Sequence, residues 1–211
     1  MKLDSIRTEY KYAGLSETNI AQNPFSQFEI WMNEALKARV NEPTAMSVAT
    51  LGIDGFPDSR IVLLKDFNEN GFTFFTNYTS NKGKSIAKNP VVGLHFFWSE
   101  LERQIRISGF AEKTSDSISD KYFYSRPVLS QIAAIVSSQS SKIASREFLD
   151  SQFETLKEKF NSENIKRPEN WGGYLVKPVK FEFWQGRESR LHDRILYEKE
   201  NGNWLISRLA P

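Results

Sequence analysis

The 211-residue chain has no cysteine, which excludes disulfides, thiolate metal sites and a cysteine nucleophile. It has only two histidines, His95 and His192, so a three-histidine metal centre is excluded as well. An excess of either charge is also missing. Lys and Arg number 28 against 26 Asp and Glu, a net of +2, which argues against a chain whose main task is coating nucleic acid or an anionic membrane. Long apolar runs are absent too. Val91–Trp98 is interrupted by Gly93 and His95 and is far short of the roughly 20 residues that span a bilayer. Met1 to Tyr10 is polar and charged, without the apolar core of a secretion signal, so a soluble cytoplasmic protein is expected. No repeat, low-complexity tract or Pro/Gly/Ser-rich linker divides residues 1–211, which read as one domain. Aromatic residues are plentiful: 13% of the chain, with 16 Phe, a composition that favours sheet over helix bundle.

Helical spacing of Phe28, Trp31, Met32, Ala35 and Leu36, closed by Pro43, predicts a helix over Phe25–Val40. Strands are expected at Ala45–Leu51 and Arg60–Lys65, joined through the turn-rich Gly52–Pro57, and at Phe72–Thr76 after Asn70-Gly71. Ser80 is a candidate N-cap for a short helix ending before Asn89-Pro90. Strands return at Val91–Trp98 and Arg103–Ala111. Ser115–Phe160 reads as helical, broken at Pro127 and at Ser137–Ser141, and Gly173–Trp184, Leu191–Tyr197 and Trp204–Leu209 close the chain as strands. The fold class that follows is α+β, mainly β: an antiparallel barrel with interspersed helices. Neither a Gly-rich dinucleotide fingerprint nor a nucleotide-hydrolase phosphate loop is present.

Several segments offer groups suited to an anion. If the stretch around Arg190, His192 and Arg194 is a strand, alternation projects all three from one face, which suits a phosphate or polarised oxygen; the solvated face of a sheet is the commoner source of such a pattern. Trp184 and Arg187 stand nearby. Arg60-Ile61-Val62-Leu63-Leu64-Lys65 reads as a strand buried on both faces and bracketed by cations. Arg60 and Lys65 have opposite parity, so they can meet at one site only through a bulge, a strand end or a subunit boundary. Ser80, Asn81 and Lys82 open the short helix, where free N–H groups favour anions. Gln139-Ser140-Ser141 fits either a phosphate or an ordinary loop. No segment offers an acid–base pair or a nucleophile triad. A chain that binds phosphate without a reactive group of its own points to chemistry carried by a cofactor.

Pro43-Thr44-Ala45-Met46, Arg60–Lys65, Phe75-Thr76-Asn77, Leu101-Glu102-Arg103-Gln104, Ser125-Arg126-Pro127, Gln139-Ser140-Ser141, Trp171-Gly172-Gly173, Glu182–Gly186, Arg190–Arg194 and the ending Arg208–Pro211 occur in one order that resembles the pyridoxine/pyridoxamine 5′-phosphate oxidases over nearly the whole chain. The resemblance implies an FMN-binding split barrel with flanking helices, and a homodimer with FMN at the subunit interface. It also implies oxidation of pyridoxamine or pyridoxine 5′-phosphate to pyridoxal 5′-phosphate, with O2 as acceptor and H2O2 as product. By matched position FMN is assigned to Arg60, Ile61, Val62, Leu63, Leu64, Lys65, Phe75, Thr76, Asn81, Lys82, Gln104, Gln139, Ser140, Trp184 and Arg194. The substrate is assigned to Lys65, Tyr122, Arg126, Ser130, Arg190 and His192, the last two orienting it over the flavin. Arg7 and Tyr10 correspond to a mobile segment, within residues 1–20, that can cover the site.

Three positions depart from the family pattern: Phe75 where Tyr is frequent, Asn81 where Arg is frequent, and Glu42 where Asp is frequent. The first two remove a hydroxyl and a cation from the cofactor's surroundings. A related split-barrel flavin reductase and a non-catalytic carrier of FMN or pyridoxal phosphate are the alternatives. Local physics adds one expectation about the substrate phosphate: Pro127 at the first helical position makes Arg126 the N-cap of a new helix, with the preceding helix ending near Ser125.

Overall fold

The structure, a computed structural model, describes residues 14–160 and 165–211; Arg7 and Tyr10 lie outside them. The first helix, α1 (Pro24–Lys37), begins where Asn23 accepts a hydrogen bond from the Phe25 N–H and Pro24 occupies the first turn, a position where its missing donor costs nothing. Its apolar stripe of Phe25, Phe28, Trp31, Met32 and Ala35 is buried. Leu36, counted in that stripe from its spacing, is 54% exposed, because one residue beyond Ala35 turns the helix ~100° out of it.

Among the described residues nine strands form one antiparallel sheet: β1 (Ala45–Leu51), β2 (Pro57–Leu63), β3 (Asp66–Asn68), β4 (Gly71–Asn77), β5 (Val91–Trp98), β6 (Arg103–Lys113), β7 (Trp171–Gln185), β8 (Asp193–Glu200) and β9 (Asn203–Leu209). The order is β2-β1-β5-β6-β7-β4-β3, and β8 joins β7 with β9 outside it. Strand β7 splits the sheet. Its residues 171–176 pair with β4 and residues 180–185 with β8, while β6 runs along its other edge. Pro178, which has no N–H to give, sits in the gap between those two pairings, where a mid-strand proline is tolerated. Opposite it the register shifts between Ser108 and Gly109, and a Cβ at Gly109 would run into the Lys177 carbonyl. A bulge at such a point bends the sheet, and the result is a curled half-barrel.

Helix α1 fills that curl. Phe28 meets Phe72 and Phe96 edge-to-face at 4.9 and 5.2 Å, Phe25 meets Phe181 at 5.3 Å and Trp31 meets Phe183 at 5.2 Å. Each buried ring contributes about 1.5–3 kcal/mol of transfer free energy. The remaining helices, α2 (Asn81–Lys88), α3 (Asp116–Ser125), α4 (Val128–Val136) and α5 (Arg146–Lys159), lie between β4 and β5 or between β6 and β7 in sequence.

Two expectations are corrected. Strand β2 is an edge strand rather than one buried on both faces, so Ile61 is 67% exposed and Leu63 40%. And Lys65 is not on it: β2 ends at Leu63, Leu64 turns inward to 5% exposure, and the Lys65 N–H donates to the Thr73 carbonyl beside β4. Arg60 and Lys65 therefore do not share a strand, and the parity argument does not apply to the pair.

From residue 14 onward the N-terminal segment is fastened to the C-terminal strands. Leu15 N–H donates to Asp193 Oδ2 at 3.0 Å, and Arg208 reaches Glu17 through two bonds of 2.9 and 2.8 Å and Asp193 Oδ1 at 2.7 Å. The Arg208 guanidinium holds the Glu17 carboxyl down at about 2, below its usual 4.5. The stability this adds is present above pH 4.5 and is lost as pH falls toward 2. Glu17 is exposed, so salt screens the effect. Thermal unfolding of Glu17→Gln should fall short of wild type at pH 6 and low salt, and the gap should close both at pH 2 and in 1 M salt.

Candidate functional site

Three groups of side chains carry the site. The first gathers at α2, whose N-cap Ser80 accepts from the Gly83 N–H at 3.3 Å. A Cβ on Gly83 would collide with the Tyr78 backbone, so the close seating of α2 on the chain before it requires glycine there. That seating buries Lys82 to 7% exposure. Its Nζ donates to Gln139 Oε1 at 2.7 Å and Thr76 Oγ1 at 3.2 Å, and Thr76 Oγ1 donates to Gln139 at 2.9 Å. Both partners of this ammonium are neutral. Burial first, and the neighbouring Arg60 second, bring its pKa down to about 8. Arg60, on β2, donates to the Val48 carbonyl and Thr50 Oγ1 and pairs with Asp58. A buried lysine, a nearby arginine, hydroxyl and amide groups and a helix N-terminus form a donor set fitted to a phosphate dianion. Asn81 opens α2 and is exposed, and Ser140 follows Gln139 with a left-handed φ of 70°.

The second group lies beside it, since Phe75 precedes Thr76 on β4. Phe75 stacks on Tyr122 of α3 at 3.9 Å and on Trp171 at 5.7 Å. Lys65 Nζ stands 5.9 Å from the Tyr122 ring centre, and the Arg126 guanidinium lies 4.8 Å over Trp171. A cleft of about 700 Å³, lined in part by Lys65, Phe75, Tyr122 and Ser125, opens here. Arg126 Nη1 is buried without a hydrogen-bond partner among the described residues, and burial lowers the Arg126 pKa from its usual value. An unsatisfied buried guanidinium nitrogen is costly unless an anion completes it.

Around Arg126 the expected caps shift by one residue. Helix α3 ends at Ser125 as expected, and Arg126 takes the extended backbone (ψ 150°) that a residue before proline prefers. Pro127, however, is itself the N-cap and α4 begins at Val128. Ser130 still falls in its first turn, its N–H donating to the Pro127 carbonyl, and Gln131 Nε2 ties back to the Arg126 carbonyl at 2.8 Å.

The third group lies on the sheet face turned away from α1, the face from which Phe75 also projects. Cross-strand pairing aligns Phe97, Gln104, Trp184 and Arg194 in one row. Arg194 donates to Glu182 at 2.8 Å, and His95 Nε2 lies 3.1 Å from Gln104 Oε1. His192 packs on Trp184 at 4.6 Å. Here the strand expectation fails. Strand β8 starts at Asp193, and Ser189 and Arg190 adopt left-handed backbone (φ 56° and 61°), so Arg190, His192 and Arg194 do not share a strand face. The loop instead fixes His192: its Nδ1 accepts from the Arg187 N–H at 3.1 Å, which leaves Nε2 as the protonated nitrogen of the neutral ring. Burial, then Arg190, lowers its pKa, which favours the neutral ring.

The sequence reading passed over three partners of these groups: Asp58 on Arg60, Glu182 on Arg194, and Trp171 under Arg126. Trp171 and Glu182 each had a signal, their places in the Trp171-Gly172-Gly173 and Glu182–Gly186 runs; Asp58 had none.

A curled antiparallel half-barrel with a buried cationic pocket on one flank and an aromatic clamp beside it defines the split-barrel class. Within that class the chain belongs to the pyridoxamine 5′-phosphate oxidase family: residues 32–160 match the family model described as "Pyridoxamine 5′-phosphate oxidase" and residues 171–211 that of the "Pyridoxine 5′-phosphate oxidase C-terminal dimerisation region". Curated relatives named pyridoxine/pyridoxamine 5′-phosphate oxidase include those of Nostoc sp., 53% identical over 98% of this chain and 97% of the relative, and Teredinibacter turnerae, 52% identical over the whole of both. Among solved structures, PhzG from Burkholderia lata, in complex with tetrahydrophenazine-1-carboxylic acid, is 30% identical with a TM-score of 0.88, covering 95% of this chain and 99% of that one.

Proposed function

We propose that this chain is an FMN-dependent oxidase that converts pyridoxamine or pyridoxine 5′-phosphate to pyridoxal 5′-phosphate. The observation that carries the reading is the buried Arg126 Nη1, without a hydrogen-bond partner among the described residues, beside an aromatic clamp. For the amine, substrate, O2 and water give the aldehyde, ammonia and H2O2; for the alcohol, substrate and O2 give the aldehyde and H2O2. FMN, when bound, supplies the two-electron acceptor that passes the electrons to O2. Lys82, Arg60, Thr76 and Gln139 hold its phosphate, with Asn81 and Ser140 at the rim, the backbone of Ile61, Val62, Leu63 and Leu64 alongside, and Gln104, Trp184 and Arg194 meeting the ring. Lys65, Tyr122, Arg126 and Ser130 hold the substrate phosphate, which fixes the reacting carbon at the far end of the substrate. Arg190 and His192 orient the pyridine ring; a neutral His192 donates from Nε2 toward it.

The site is completed by a second copy of the chain. Gln104, Trp184 and Arg194 belong to the sheet face that also carries the exposed Ile61, Leu63 and Phe97, and the match to a dimerisation region covers β7 to β9. The reading of residues 1–211 as one domain is supported by β7, which pairs with both β4 and β6.

The test is spectroscopic. Protein reconstituted with FMN should hold one flavin per chain and bleach when pyridoxamine 5′-phosphate is added without air. Readmitted air should restore the colour with one H2O2 per turnover. A carrier would bind without bleaching, a reductase would bleach with a nicotinamide donor instead, and either outcome would sink the oxidase reading.

A further inference from the structure

We propose that Arg167 is a positioning residue for the phosphate clamp: it lashes α3 to the start of β7, and so holds Tyr122, Trp171 and Arg126 in the arrangement that receives an anion. The inference rests on the reading of Arg126 given above. The Arg167 side chain is 9% exposed and uses all three guanidinium nitrogens. Nε donates to Asp120 Oδ1 at 2.6 Å and Nη2 to Asp116 Oδ1 at 2.8 Å, both on α3, while Nη1 donates to the Trp171 carbonyl at 2.6 Å. Its backbone N–H donates to Tyr124 Oη at 3.4 Å. Each element it grips is a wall of the clamp. Helix α3 carries Tyr122 and ends just before Arg126, and Trp171 supplies the face on which Arg126 lies and the ring stacked parallel to Tyr122 at 6.2 Å.

Asp116 and Asp120 are 92% and 45% exposed, and ion pairs so open to water add little stability. What Arg167 adds is direction. A planar fork with three fixed donors sets the distance and angle between two elements that no strand ladder joins at that point. A lysine places its donors on one atom at the end of a flexible stem and cannot reproduce the three fixed directions of the guanidinium.

The experiment compares Arg167→Ala and Arg167→Lys with wild type, using inhibition by inorganic phosphate, the KM and kcat for pyridoxamine 5′-phosphate, and FMN affinity by fluorescence quenching. Misplacement of a binding group by about an ångström costs up to on the order of 100-fold. Arg167→Ala should therefore raise the inhibition constant of phosphate and the KM together by roughly ten- to hundred-fold. Arg167→Lys should fall between, with FMN affinity within about twofold of wild type in both, since the flavin-phosphate group does not touch Arg167. Should Arg167→Ala fail to fold, Arg167→Lys and Asp120→Asn carry the same comparison. An unchanged phosphate constant in folded variants overturns the proposal, and so does a parallel loss of FMN affinity, which would mark a general structural role. Arg126→Ala measured alongside separates the two layers: if it too leaves phosphate inhibition unchanged, the clamp reading itself has failed.

Discussion

Arg126→Ala is expected to lower kcat/KM for pyridoxamine 5′-phosphate by roughly ten- to two-hundred-fold, because a hydrogen bond to a charged group contributes about 1.5–3 kcal/mol. The buried Nη1 makes this the position where the effect should be largest. Among the described residues that nitrogen is buried and has no hydrogen-bond partner, so a phosphate that reaches it would meet a donor with no competing partner there. Three further expectations follow from the same geometry. The loss should appear for the phosphorylated substrate, and FMN content should stay unchanged, since Lys82, Thr76 and Gln139 bond to one another and not to Arg126. Arg126→Met, which fills the space over Trp171 without an unsatisfied donor, should unfold at the same temperature as ligand-free wild type or higher. Steady-state kinetics and a thermal melt decide the matter: unaltered kcat/KM, or loss of flavin in its place, puts the clamp elsewhere.

How far the site could be read ahead differs from one group to the next. Ser80 was legible as an N-cap because a capping serine before a polar helix and an Asn-Pro stop is a local chemical pattern, and the structure has that cap. The break at Pro127 was legible for the same reason, although the register slipped by one residue, since Pro127 itself took the extended cap conformation. The Arg190–Arg194 stretch misled. Its alternation of cations imitates a strand, and nothing in the residue types announces that Ser189 and Arg190 adopt left-handed backbone, which for such residues is held in place by surroundings. The apolar Ile61–Leu64 run reads alike whether its strand is central or at an edge; position in a sheet is a property of the whole topology. The three-residue strand β3 was missed because its pairing to β4 is carried by the Asn70-Gly71 turn and not by any periodicity. Arg126 over Trp171 joins residues far apart in sequence, a contact only the folded chain can reveal. Sequence therefore supplied the parts of the site, and the fold supplied which parts face one another.

FMN affinity is expected to hold steady between about pH 7 and 8 and then to weaken about tenfold per pH unit. In the ligand-free fold, burial and then Arg60 bring the Lys82 ammonium to about 8. A bound phosphate dianion favours the charged form and raises that pKa. Between the free and bound values, binding takes up a proton, so log Kd climbs one unit per pH unit. Below pH 8 the lysine is already charged and this dependence disappears; nearer pH 6 the phosphate gains its own second proton and affinity falls for a different reason. Lys82→Met keeps the length of the side chain and removes its charge. It should weaken FMN binding roughly ten- to two-hundred-fold at pH 7.5 and erase the alkaline limb. Riboflavin, which lacks the phosphate, should bind both proteins equally and without that limb. Fluorescence titration of the ligand-free protein from pH 6 to 10 tests all of this. Wild-type affinity in Lys82→Met, or an alkaline limb that survives in it, would mean that the flavin phosphate is held by other groups and that burial of this lysine serves the fold alone.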